Sequence, residues 1–160
     1  MNLEYHIVSD NGDQYSLSLS SDGLSLSDEI RDAYGIELIS IELMRIQGNG
    51  VTSSKTLACI EQIIADVFDS FPNAVLFYYC DFLKAIPSTT KHISPQEYRS
   101  RLFSDMFQRY VSHHDITGVS EVVVTIDGEE EPYFIHMIAR EQHLSAVQKI
   151  GDQLRRDFEK

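Results

Sequence analysis

Arg45, Gly48 and Gly50 belong to the one stretch of this 160-residue chain whose residue types and spacing point to a specific chemistry. In Arg45-Ile46-Gln47-Gly48-Asn49-Gly50, two glycines stand just ahead of a segment with helical apolar spacing. Glycines let a backbone approach a ligand closely, and a helix start offers free N–H groups and the positive end of its dipole. Phosphate or pyrophosphate is the natural ligand of such a turn. A Walker A loop does not fit, because Lys55 follows Gly50 by five residues and not directly. A dinucleotide loop does not fit either, since the third glycine is absent. The same glycines also suit a plain strand-to-helix turn.

Two other groups invite chemistry. Cys80-Asp81 closes an apolar run, and Arg99 and Arg101 begin the next helical segment. A thiolate activated by those arginines would be a nucleophile. The alternative is a buried Cys80 with Asp81 paired to an arginine, and no histidine stands as an evident base. His113-His114-Asp115 has the residue types of a metal site. Adjacent histidines do not share a helix face, however, and no spaced second pair exists, so a role at the helix C-terminus is expected and no metal. His136 alternates with Phe134 and Ile138, which reads as packing on one sheet face.

These groups need elements to position them. Residues 3–8 and 14–19 alternate apolar with polar around Asn11-Gly12, the strongest short hairpin signal. Residues 27–34 form a short helical turn closed by Gly35. Residues 36–46 are apolar in two phases, which fits a strand buried on both faces or shifted by bulges, and also fits a helix. Leu57, Ile60, Ile64, Val67 and Phe71 give a helix from Thr52 or Ser53 to Pro72. Residues 74–80 read as a buried central strand, and 81–93 as a loop. Ser94, Pro95 and Glu97 have the pattern of an N-cap, first helical position and capping box. Residues 119–126 and 133–139 make a second hairpin, and a last helix starts near Gln142. The order β-β-β-α-β-α-β-β-α predicts one α+β domain over residues 1–160, with helices packed on a mixed sheet of about six strands.

Composition bounds the rest. With 42% apolar residues, the chain can build a core. Twenty-five acids against thirteen Lys and Arg leave a charge of −12, which argues against nucleic acid and anionic membrane as partners. The acids are unevenly spread: residues 1–43 hold nine, against Arg31 alone. That half is either a solvated face or a surface for a basic partner protein. Two cysteines, a polar start and no long apolar run lead us to expect a cytoplasmic protein.

The spacing R-x-x-G-x-G resembles the acetyl-CoA loop of the GNAT acyltransferase superfamily, and the order hairpin, third strand, glycine loop, helix, strand, helix, hairpin is similar too. The resemblance implies a GNAT-like fold that binds acetyl-CoA or another acyl-CoA and transfers the acyl group to an amine. Arg45, Gln47, Gly48, Asn49, Gly50 and Thr52 would form the coenzyme cradle. Glu42 would be the general base, and Tyr110 would protonate the leaving thiolate. Over most of its length the chain also resembles a bacterial family of similar size that brings no activity with it. The N-terminal hairpin, residues 75–81 and residues 99–103 carry that likeness. A non-catalytic immunity or regulatory protein is the alternative function.

Overall fold

The computed structural model describes residues 1–21, 27–50, 52–80, 95–128 and 132–158. Strands β1 (Asn2–Val8) and β2 (Gln14–Ser20) form the expected hairpin, with Gly12 at φ +86° in its turn. Helix α1 (Ser27–Tyr34) follows, ended by Gly35 at φ +66°. Then come β3 (Glu37–Gln47), α2 (Ser54–Ser70), β4 (Ala74–Cys80), α3 (Pro95–His113), β5 (Val119–Ile126) and β6 (Tyr133–Arg140). A short 3-10 turn (Glu141–His143) leads into α4 (Leu144–Phe158).

The six strands form one mixed sheet in the order β1-β2-β3-β4-β6-β5. Only β3 and β4 run parallel, as the strand–helix–strand crossover through α2 requires. The architecture is α+β, a single domain with a six-stranded mixed sheet and four helices among the described residues. Relative to the predicted order, α1 is a full helix and not a turn, with Ile30 as its buried anchor.

Alternation along the strands sorts the core into two layers. Leu17, Leu19, Ile39, Ile41, Leu76 and Ile138 meet α2 and α3 through Ile60, Val67, Phe68 and Met106. On the other side, Leu38, Val75, Phe77, Ile135 and Met137 meet α1 and α4 through Ile30, Val147, Ile150 and Leu154. This resolves the two phases of residues 36–46. β3 begins as a strand buried on both faces, and a register shift where Gln14 and Tyr15 face Gln47 and Arg45 follows near its end.

β1 and β2 contribute to the first layer only, through Ile7, Tyr15, Leu17 and Leu19. Their opposite face carries Glu4, His6, Val8, Ser16 and Ser18, and β3 continues it with Glu42, Met44 and Ile46. Among the described residues, the helices cover this half of the sheet on one side only.

The capping pair Ser94–Glu97 lies partly outside the described residues. So does the loop 81–93, and with it Asp81, as does the side chain of Cys80. Among the described residues no helix is long and apolar enough to cross a membrane.

Candidate functional site

The glycine loop sits where the spacing predicted, between β3 and α2, but it faces its own hairpin. Gly48 has φ +106°, and a Cβ built there would lie 1.9 Å from Asp13 Oδ1. One built at Gly50 would meet Asn11 Nδ2 at 3.1 Å and Asp13 Oδ2 at 3.3 Å. The close approach that the glycines permit is therefore taken up by the β1–β2 turn.

Arg45 turns inward, with a side chain only 12% exposed. Its Nη2 donates to Tyr15 Oη at 3.3 Å and to Thr52 Oγ1 at 3.0 Å, and these two oxygens are 2.8 Å apart. Its guanidinium carbon stands 5.4 Å from the Tyr15 ring centroid, and Nη1 is 4.0 Å from Asp13 Oδ2. Gln47 accepts from Gln14 at 3.2 Å, and Lys55 reaches Asp10 at 3.4 Å. Asn49 is exposed. Ser53 caps α2, its hydroxyl accepting from Thr56 N–H at 3.2 Å. Five of the six expected cradle residues thus engage the hairpin or one another, and both nearby cations already face carboxylates.

One feature does leave room beside the loop. β3 and β4 pair only from Glu37–Ala74 to Ser40–Phe77. Beyond that, among the described residues β3 continues against β2 alone, and the last residues of β4 pair with β6. The two parallel strands therefore part ahead of the glycine loop. On the helical side, Leu43, Tyr78, Leu102 and Phe103 border the space between them.

Glu42 and Tyr110 are not brought together. Ile39, Ile41 and Leu43 point toward α2 and α3, so the pleat sends Glu42 to the opposite face. Tyr110 lies near the end of α3 on the helical side, at the mouth of a groove between α2 and α3. Its ring stacks on His114 at 4.1 Å. Burial raises the Tyr110 pKa; a hydrogen bond from Gln62 opposes this, and the charges of Asp69, Asp66 and Glu61 add to the rise. His113 takes the helix-end role expected of it, its Nδ1 lying 2.9 Å from the Arg109 carbonyl oxygen.

Sequence reasoning missed a buried polar cluster. Ser100 Oγ is 2.7 Å from Nε2 of the fully buried His136, and His136 Nδ1 is 3.3 Å from Glu121 Oε2. Ser104 donates to Glu121 Oε1 at 2.7 Å. The His136 ring packs edge-on to Phe103 at 5.2 Å, and Phe103 stacks on Tyr78 at 4.5 Å. The cluster ties α3 to β5 and β6 and satisfies a histidine that has no water to turn to. Only Ser100 and Ser104, one helical turn apart, were legible as sharing a face.

Among the described residues, no group of three or more His, Cys, Asp or Glu is gathered as a metal site. Comparison with protein-family models and with curated proteins returns no match.

Proposed function

We propose that the protein is an acidic interaction domain whose β1–β2–β3 face, away from α2 and α3, receives a cationic partner protein. The observation that carries this reading is the makeup of that face. Across the strands Glu4, Ser18 and Glu42 stand in one row, and His6, Ser16 and Met44 in the next. Val8, Met44 and Ile46 are 59%, 48% and 58% exposed, which provides apolar anchors at one end. At the other end, α1 brings Asp28, Glu29 and Asp32, with Arg31 engaged by Asp28 and Glu37. Apolar anchors beside the exposed carboxylates of Glu4, Asp28, Glu29 and Asp32 match a basic protein surface, whose association is steered by charge and weakened by salt.

The test is an NMR titration of the labelled protein with a lysine- and leucine-rich peptide and with its glutamate counterpart. Shifts confined to residues 2–8, 16–20 and 40–46, present at low salt and abolished by Glu4→Lys with Glu42→Lys, support the reading. Equal binding of the glutamate peptide refutes it, as do shifts centred elsewhere.

The parting of β3 from β4 favours a second reading, acyl-CoA binding in a GNAT-like fold. The residues of the loop do not fit a pyrophosphate as they stand, because the Asp13 carboxylate lies against Gly48 and near Gly50. A second anion there would meet like charge at close range. With Glu42 and Tyr110 on opposite faces, no acyl-transfer step is assigned to them. Thermal stabilisation by acetyl-CoA that is lost in Gly50→Glu would favour this reading over the first; an unchanged melting curve at millimolar coenzyme would remove it.

A further inference from the structure

The apolar face of the α2–α3 pair is not fully closed over the sheet. Leu76 and Ile138 form the floor of a shallow groove, open to solvent, whose walls are Ile64, Phe68 and Phe107. Its interior is almost wholly apolar, so an occupant gains by burying hydrocarbon there.

The mouth is different in kind. Glu61 and Asp69 line it together with Tyr110. Asp66 stands close by on α2, where it accepts from Gln62 at 2.8 Å. Arg109 pairs with Glu61, which matches one of the three carboxylates. Arg140 lies over the Phe68 ring, so among the described residues three carboxylates stand against two guanidinium groups and the surplus is negative; burial first, and then that field, raises the Tyr110 pKa. A fatty carboxylate would bring like charge to this rim, whereas an ammonium would be drawn to it.

We infer that the groove between α2 and α3 is a binding site for a small organic ammonium compound with an apolar body. The hydrocarbon lies over Leu76 and Ile138, and the ammonium stays at the rim beside Asp69 and the Tyr110 hydroxyl. This site lies on the helical side of the sheet, away from the β1–β2–β3 face, so the two proposals stand or fall separately.

Three probes of one shape test it: 4-phenylbutylamine, 4-phenylbutanol and 4-phenylbutanoate, titrated against the full chain. Methyl NMR signals of Ile64 and Ile138 are the readout. The amine is expected to bind about tenfold more tightly than the carboxylate, with the alcohol between them. Asp69→Asn should shrink that preference while leaving the alcohol unchanged. Ala65→Phe fills the groove and should abolish all three; Ala65→Leu replaces it if the phenylalanine variant fails to melt cooperatively. Carboxylate binding as tight as amine binding overturns the proposal. So does the absence of methyl shifts with every probe, or amine binding that survives a well-folded Ala65→Phe.

Discussion

Replacing Gly48 by alanine separates a structural glycine from a ligand-binding one. Two costs can be worked from the geometry. At φ +106° an L side chain is strained, which costs about 1–3 kcal/mol. The new methyl would also sit 1.9 Å from Asp13 Oδ1 and 2.3 Å from its Cγ, so the carboxylate must leave its buried place. Overpacking of that kind costs typically 1–3 kcal/mol. Gly48→Ala should therefore lose about 3 kcal/mol, which for a chain of this size lowers the melting temperature by roughly 6–12 °C.

Urea unfolding of Gly48→Ala, Asp13→Ala and the double variant gives the coupling. Removing the carboxylate leaves only the Asp13 Cβ, 2.9 Å from the new methyl, so most of the steric part should vanish. The cost of Gly48→Ala should fall by about 1 kcal/mol or more in that background, beyond the additivity error of about 0.5 kcal/mol. A Gly48→Ala variant as stable as the parent refutes the reasoning, as does strict additivity with Asp13→Ala. Gly50→Ala is the internal control: its nearest contacts are 3.1 and 3.3 Å and its φ is ordinary, so it should cost far less.

Three further outcomes follow from other side chains. Arg140 donates to the carbonyls of Phe68, Phe71 and Pro72 at 2.7, 3.1 and 3.0 Å and lies 4.0 Å above the Phe68 ring. Arg140→Lys cannot reproduce that fork and should lose about 2 kcal/mol in urea unfolding. His136→Leu leaves Glu121 without its histidine and should lose about 3 kcal/mol, and pairing it with Glu121→Leu should recover part of the loss, measured in the same way. The pKa of His143 is lowered, first by burial and then by Arg140. Its contribution to stability is thus present above the ordinary value of 6.5 and is lost as pH falls through the lowered value. His143→Gln should flatten the acid side of the stability profile, with imidazole NMR titration checking the direction of the shift.

Local pattern was enough for most elements. Asn11-Gly12 marks the hairpin because its turn needs positive φ, and Gly12 has it. The spacing of Leu57, Ile60, Ile64 and Val67 describes a helix with one apolar face, and α2 buries Ile60 and Val67 on the first core. The alternation in β2 separates Leu17 and Leu19, fully buried, from Ser16 and Ser18 on the opposite face. Residues 36–46 were ambiguous because the apolar pattern there answers two layers at once, and only the packing of α1 and α4 on one side and α2 and α3 on the other shows which residue serves which.

The motif around Gly48 and Gly50 shows where sequence stops. The residues themselves say that the backbone there must come close to something, since only glycine lacks the Cβ that would intervene. What it comes close to is Asp13, 35 positions earlier in the chain, carried there by the antiparallel pairing of β2 with β3. Long-range pairing likewise put Glu42 and Tyr110 on opposite faces and gathered Ser100, Glu121 and His136 from three elements. Sequence by itself determined the elements, the apolar faces and the acidic surplus of the N-terminal half, because these depend on neighbours within a turn or a strand. Only the tertiary structure decided which groups meet, because contact across a sheet depends on register and layer.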